Sequence, residues 1–179
     1  MTDRGAAKRQ AMLDDMAAFV LENGLANASL RPLARAASTS DRMLIYHFNS
    51  KEALVAEVLT HLAESLAARF TQSLPQGRTE SVAQCAREVI VLMRLPEMRG
   101  FMRLWFELAA GAATDSTAHS ETGSRILKLF RGWIKERLPE ESGSSDAEVD
   151  AALTLIEGIV VMEAFGESEM ADRAIERFL

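Results

Sequence analysis

The sequence SLRPLARAASTSDRMLIYHFNSKEAL, residues 29–54, decides the fold of this chain. Its apolar residues are spaced for two short helices, and the polar run STS at 38–40 separates them. Ser50 is a good N-cap residue and begins a third helix. Two short helices joined by a few residues form a helix-turn-helix, whose second helix enters the DNA major groove. The stretch therefore predicts a DNA-binding motif whose second helix spans 41–48.

Helical spacing continues on both sides of this motif. Only ten Gly and four Pro occur in 179 residues, which favours an all-α fold of about nine helices. The predicted helices span residues 8–23, 30–37, 41–48, 51–71, 79–95, 96–113, 124–138, 146–165 and 168–179. Ser145 with Glu148 forms a capping box before the eighth of them. The polar stretch TDSTAHSETG, residues 114–123, is expected to be a loop.

The charge of the chain is unevenly distributed. The formal net charge is −6, but residues 1–52 hold seven Lys or Arg against six Asp or Glu. The remaining residues hold 13 against 20, so the acidity belongs to the C-terminal part. A local set of cations can still neutralise phosphates in such a protein.

Several classes of protein and of site are disfavoured. The single cysteine, Cys85, excludes an internal disulfide, and burial as a small hydrophobe is its expected role. No apolar run reaches the roughly 18 residues of a membrane span, and no secretion signal is evident, so we expect a cytoplasmic protein. Without a nucleophile motif, a Gly-rich phosphate loop or histidines at ligand spacing, we expect no enzyme, no cofactor and no metal.

The predicted second helix has an outward face suited to DNA. Leu44 and Phe48 are four residues apart and should face the core. Arg42 can then donate two hydrogen bonds to a guanine or contact a phosphate, and Met43 and Ile45 can meet a thymine methyl group. A helical hairpin within an ordinary all-α protein is the simpler alternative.

The string LIYHFNSKEAL resembles the end of the TetR-family DNA-binding domain, where L-Y-x-H/Y-F-x-S/N-K-E-x-L joins the recognition helix to the fourth helix. Upstream, LARAASTS is similar to the family's L/I-A-x-x-A-G-V-S, and the domain match covers residues 8–55. Three positions depart from the family: Ser38 and Arg42 stand at frequent glycines, and Ile45 replaces a common Tyr. These departures leave the fold intact, but base preferences cannot be transferred.

The resemblance implies a homodimeric transcriptional regulator, most often a repressor that a small molecule releases from double-stranded DNA. It also implies a DNA-binding domain over 1–50 and a helical effector-binding and dimerisation domain over 51–179, linked by the helix 51–71. The predicted DNA contacts are Ser29, Arg31, Thr39, Ser40, Asp41, Arg42, Met43, Ile45, Tyr46, His47 and Lys51.

Aromatic and methionine side chains are concentrated in the C-terminal part and could form an apolar effector pocket. The equally weighted alternative is a filled core. The predicted pocket residues are Leu66, Phe70, Val89, Met93, Phe101, Met102, Trp105, Phe130, Trp133 and Met162. Arg103 and Glu107, four residues apart, are expected to form a surface pair rather than to contact the effector.

The eighth predicted helix, AEVDAALTLIEGIVVMEAF, is apolar on most of its circumference. Such a helix is buried from more than one side, here by its own core and by a second subunit. The predicted interface residues are Ala151, Leu155, Gly158, Ile159, Met162, Ile175 and Phe178. The alternative is a central core helix of a monomer.

The expected mechanism is differential binding: the effector prefers a conformation whose recognition helices are wrongly spaced for DNA. A rival hypothesis is a helical small-molecule-binding or protein-interaction module that has lost DNA binding. Activation instead of repression also stays open.

Overall fold

The computed structural model describes residues 3–114, 116–141 and 145–178, and within these ranges the chain forms nine α-helices and no strand. The all-α prediction is confirmed. The helices are α1 Asp3–Asn23, α2 Leu30–Ala36, α3 Asp41–Phe48, α4 Lys51–Ser73, α5 Val82–Met93, α6 Arg99–Ala113, α7 Thr117–Arg137, α8 Asp146–Ala164 and α9 Ser168–Phe178. Short 3-10 turns lie at Leu25–Asn27 and Pro96–Met98.

The chain divides into two compact units that share three helices. The first unit comprises Met1–Ser65 and Arg103–Ile126, and the second comprises Leu66–Met102 and Leu127–Leu179. The division therefore falls within α4, α6 and α7. This division differs from the functional boundary expected at residue 50. That boundary stays a prediction.

Serine hydroxyls cap the N-termini of several helices, because the first N–H groups of a helix lack partners within it. The Oγ of Ser40 accepts the N–H of Met43 at the start of α3, and that of Ser50 accepts the N–H of Ala53 in α4. Ser145 accepts the N–H of Glu148, as the capping box predicts for this N-cap residue. Ser29 occupies the N-cap position of α2, but its side chain makes no capping bond.

The loop predicted over residues 114–123 is wrong, because α7 begins at Thr117. Within 117–122 nothing breaks a helix, and two polar side chains at its start bond to the backbone. The Oγ of Ser116 accepts the N–H of His119, and the hydroxyl of Thr122 donates to the carbonyl of Ala118 at 2.7 Å. A polar composition alone therefore did not indicate a loop here.

The second unit is built on the packing of α5, α8 and α9. Its core includes Val149 and Ile159 of α8 and Ile175 of α9. Cys85 of α5 is 1% exposed, as expected for a buried small hydrophobe, and burial raises the pKa of its thiol to about 11. The end of α9 at residue 179 and the break predicted within 142–144 lie outside the described residues.

A buried arginine holds the loop between α4 and α5 against the end of α7. Arg137 Nη1 donates to the carbonyls of Pro75 and Gly77, and its Nη2 pairs with Glu88 Oε2 at 2.5 Å. In return, the N–H and hydroxyl of Thr79 donate to the carbonyl of Arg137. The guanidinium pairs with a carboxylate and bonds to two carbonyls, which offsets the cost of burying its charge.

Neither a membrane span nor a metal cluster is evident in the described ranges. No helix there is both long and apolar enough to cross a membrane. The same residues contain no group of three or more His, Cys, Asp or Glu side chains placed to hold a metal ion.

Candidate nucleic-acid interface

The helix-turn-helix is formed by α2, the turn at 37–40 and α3. The N–H of Thr39 donates to the carbonyl of Ala34 at 2.8 Å, and that of Ser38 donates to the carbonyl of Arg35 at 3.2 Å. Ser38 has φ 49, a left-handed conformation that favours glycine. The turn thus has the backbone conformation that a glycine would adopt, although Ser38 carries a hydroxyl side chain.

One face of α3 is fully buried and the other is open. Leu44 and Phe48 are 0% exposed, as the spacing predicts. On the opposite face Tyr46 is 75% exposed and Ile45 is 37% exposed, and Arg42 is also exposed. Two large buried side chains therefore hold a short helix whose outward residues are free to meet a partner.

The remaining predicted contacts lie around this face. Ser29, Arg31 and Ser40 are exposed, whereas Thr39, Asp41, Met43 and His47 are half-buried. The edge of the Tyr46 ring meets the His47 ring, with centroids 5.2 Å apart.

Lys51 is exposed in the first turn of α4, where free backbone N–H groups favour an anion. The next residue, Glu52, already has its carboxylate bonded to its own N–H and to the Ser50 hydroxyl. These bonds lower the pKa of Glu52. This helix N-terminus therefore presents a cation and a carboxylate side by side.

Polar contacts join α1 to α4, the two helices that flank the helix-turn-helix in the sequence. Arg9 pairs with Glu57, and its guanidinium carbon lies 4.6 Å from the centre of the Phe48 ring. Farther along, Asp14 and His61 are 2.8 Å apart. Sequence reasoning missed Arg9, because its partners lie 39 and 48 positions away and no local pattern marks them.

The predicted pocket residues are only partly brought together. In the second unit the Phe70 ring lies 6.3 Å from Phe130 and 5.6 Å from Trp133, and Trp133 Nε1 donates to Thr71 Oγ1. Leu66, Phe70 and Val89 are buried, whereas Met93, Phe101, Met102, Phe130, Trp133 and Met162 are half-buried. Trp105, also half-buried, belongs to the first unit.

The predicted interface residues divide by exposure. Ala151 and Gly158 are exposed, and Leu155 and Met162 are half-buried. Ile159 and Ile175 are each 2% exposed and pack inside their own protomer. The side chain of Phe178 lies outside the described part of the chain. The exposed side of α8 therefore carries the small residues Ala151 and Gly158 next to the polar residues Asp150 and Thr154.

A charged cluster ties α5 to the pair α8 and α9. Arg94 Nη2 lies 2.6 Å from Glu163 Oε1 and 2.8 Å from Asp172 Oδ1. The Ser168 hydroxyl donates to the other Glu163 oxygen. These bonds lower the pKa of Glu163.

Comparison of the sequence with known proteins identifies its family. Residues 17–58 match the family described as bacterial regulatory proteins, tetR family. The chain is also 30% identical over 157 residues to the HTH-type transcriptional repressor KstR2 of Rhodococcus jostii strain RHA1, covering 87% of this chain and 77% of that protein. The chain belongs to the TetR family. This membership makes it a transcriptional regulator and not an enzyme, as the sequence predicted.

Solved structures share the fold of this TetR-family chain over nearly its whole length. A crystal structure assigned to a TetR-family regulator from Rhodococcus sp. superposes with a TM-score of 0.71 at 20% identity, covering 95% of each chain. The multidrug binding protein EbrR, crystallised with imidazole, superposes with a TM-score of 0.69 at 18% identity, covering 97% of this chain and 90% of EbrR.

Proposed function

We propose that this TetR-family regulator is a homodimeric repressor that binds a palindromic operator and is released by a small hydrophobic or aromatic effector. The observation that carries the proposal is the open face of α3, where Arg42, Ile45 and Tyr46 project from a helix held by fully buried Leu44 and Phe48. Repression is inferred from the relative KstR2, whose name describes a transcriptional repressor. A protein of this kind works beside the chromosome, in the cytoplasm.

The proposed DNA contacts fall into two groups. Arg42, Met43, Ile45 and Tyr46 lie on or beside the outward face of α3, where side chains can reach base edges in the major groove. The second group surrounds that helix and positions it on the phosphates. Its members are Ser29, Arg31, Thr39, Ser40, Asp41, His47 and Lys51.

Dimerisation is proposed along the open face of α8. The exposed residues Ala151 and Gly158 allow a second helix to approach closely, and Leu155 and Met162 beside them add half-buried apolar area. A Cβ built at Gly158 meets nothing within 4 Å in the protomer. A two-fold dimer would place two recognition helices on half-sites one helical turn apart. In this proposal Ile159 and Ile175 support the interface from inside each protomer.

The effector is proposed to bind beside the aromatic group Phe70, Phe130 and Trp133. Aromatic and methionine side chains suit an apolar or aromatic ligand, and the Trp133–Thr71 bond supplies a polar group among them. EbrR, which shares the fold, was crystallised with imidazole. Phe70 lies on α4, the helix that begins directly after α3, so a shift of α4 is the proposed route to release.

The test is selection of binding sites from random double-stranded DNA with the purified protein, followed by affinity measurements across a salt series. The proposal predicts an enriched palindrome with half-sites about one helical turn apart and an affinity that falls steeply with salt. Failure to enrich any sequence would favour the alternative of a helical module that has lost DNA binding.

A further inference from the structure

Two side chains of α6, Arg103 and Glu107, are bonded to the end of α1 and to the turn before α2, all within the first unit. Arg103 Nη2 donates to the carbonyl of Leu21 at 2.7 Å. One turn later, Glu107 Oε2 accepts the N–H of Leu25 at 2.5 Å. The two side chains also face each other, with Arg103 Nε 3.7 Å from Glu107 Oε1.

The charges of this pair match the backbone ends that they meet. The last carbonyls of α1 have no partner within the helix and carry partial negative charge, which suits the Arg103 guanidinium. The Leu25 N–H at the start of the 3-10 turn has no backbone acceptor, so it is free to donate to the Glu107 carboxylate. One cation and one anion on the same face of α6 therefore bind two different backbone ends.

Gly24 makes this approach possible. Its φ is +80, a conformation that side chains rarely adopt, and a Cβ there would lie 2.9 Å from Glu107 Oε1. The turn thus requires glycine at this position, and any side chain there would also displace the Glu107 carboxylate.

We propose that Arg103 and Glu107 are positioning residues that hold the helix-turn-helix in the orientation needed for both half-sites. The inference rests on the proposed function. α6 supplies residues 99–102 to the second unit and 103–113 to the first, so one continuous helix takes part in both. Besides the Arg9–Glu57 and Asp14–His61 contacts between α1 and α4, the helix-turn-helix is then held through α4 after α3 and through α6 at the end of α1.

Loss of one of these two attachments has a defined consequence. The helix-turn-helix becomes freer to reorient about α4, and binding both half-sites of one operator must then fix an orientation that the protein no longer supplies. Operator affinity falls although every DNA-contacting side chain is still present. Discrimination between operators of different half-site spacing falls with it.

The experiment compares Glu107→Ala, Glu107→Gln and Arg103→Ala with the native protein. The probe is the double-stranded operator selected with the native protein, together with the same operator lengthened by one base pair between the half-sites. Arg99→Ala is the matched control, because Arg99 is an exposed cation four residues earlier on the same helix. Affinity is measured by fluorescence anisotropy across a salt series, and hydrogen exchange at the Leu25 amide reports loss of the bond.

We expect Glu107→Ala and Arg103→Ala to weaken operator binding by a factor on the order of ten, about what loss of one charge-assisted hydrogen bond costs, with the salt slope unchanged. Their preference for the native spacing should shrink. Glu107→Gln keeps an acceptor for Leu25 and should recover most of the affinity, whereas Arg99→Ala should behave as native.

The inference is overturned if Leu25 exchanges faster in Glu107→Ala while operator affinity and spacing preference stay within a factor of two of native. A changed salt slope would also contradict it, because Glu107 and Arg103 would then act on phosphates. If the native protein selects no operator, the proposed function fails first and this inference fails with it.

Discussion

Helices α3 and α8 both leave one face uncovered within the protomer, but the two faces differ in size and chemistry. α3 exposes long side chains, Arg42 and Tyr46, whereas α8 exposes the small residues Ala151 and Gly158 beside Asp150 and Thr154. Long polar and aromatic side chains reach into a groove, and small ones allow two backbones to approach. In the proposed function, the size of the exposed side chains separates a surface for DNA from a surface for another helix.

The strongest test of this contrast is Gly158→Glu, which places bulk and charge on the small-residue face. We expect the proposed dimer to become a monomer in light scattering. Operator affinity should fall by about two orders of magnitude or more, because two linked half-site contacts become one. Gly132→Glu is the matched control, since Gly132 also has nothing within 4 Å of a built Cβ and lies exposed in α7. A Gly158→Glu dimer of native mass would disprove the proposed interface.

Next in size is Arg42→Ala, which shortens the longest cation on the α3 face. If Arg42 contacts a base, the variant should lose about 1–3 kcal/mol of operator binding and relax its preference at one position of each half-site. Repeated site selection measures both effects. Arg69→Ala, which removes an exposed cation of α4, should leave the selected sequence unchanged. An unaltered base preference in Arg42→Ala would assign Arg42 to the phosphates.

A smaller change is expected for Lys51→Ala, at the edge of the α3 face. Affinity should fall several-fold on every sequence, and the slope of log K against log salt should become shallower by about one per protomer. Glu52→Gln removes the neighbouring carboxylate and should not weaken binding. A Lys51→Ala slope equal to the native one would remove Lys51 from the set of phosphate contacts.

The smallest expected effect is on folding stability, through the ion pair between Arg94 and Glu163 that joins the end of α5 to α8. Arg94 lowers the pKa of Glu163 from its ordinary value near 4.5, so the folded state favours the ionised carboxylate. Its stabilisation is present above that value and is lost as the pH falls through the depressed pKa. Glu163→Gln should cost about 1 kcal/mol at pH 7, because Arg94 remains partly in water, and the difference from native should close at a pH below the depressed pKa of Glu163.

Urea unfolding at the two pH values measures this difference. Glu169→Gln is the control, because its side chain is 95% exposed and its Arg173 partner lies 3.6 Å away in the same helix. That pair should contribute little at either pH. A cost for Glu163→Gln that does not change with pH would show that packing rather than charge explains it.

Local signals predicted the recognition helix well. The bounds of α3 and its buried pair Leu44 and Phe48 follow from spacing within one short segment. Arg103 and Glu107 were also predicted correctly as a neighbouring ion pair. Their bonds to Leu21 and Leu25 could not be predicted, because those residues are 82 positions away and only the tertiary fold brings them close.

The sequence of α8 shows what hydrophobic spacing alone cannot predict. A helix that is apolar on most sides does not reveal which side faces its own core. Ile159 and Ile175, predicted for the interface, are each 2% exposed in the protomer, whereas Ala151 and Gly158 are exposed. The dimer and the effector group therefore stay proposals that rest on exposure and ring contacts rather than on periodicity.

The burial of Cys85 also makes the molecule convenient for spectroscopy. It is the only thiol in the chain, it is 1% exposed, and its raised pKa keeps it protonated and unreactive at neutral pH. A cysteine introduced at an exposed position of α3 would then be the only site that a maleimide dye modifies in the native protein. Energy transfer between the two dyes of a dimer would report the separation of its recognition helices directly, with no background to remove.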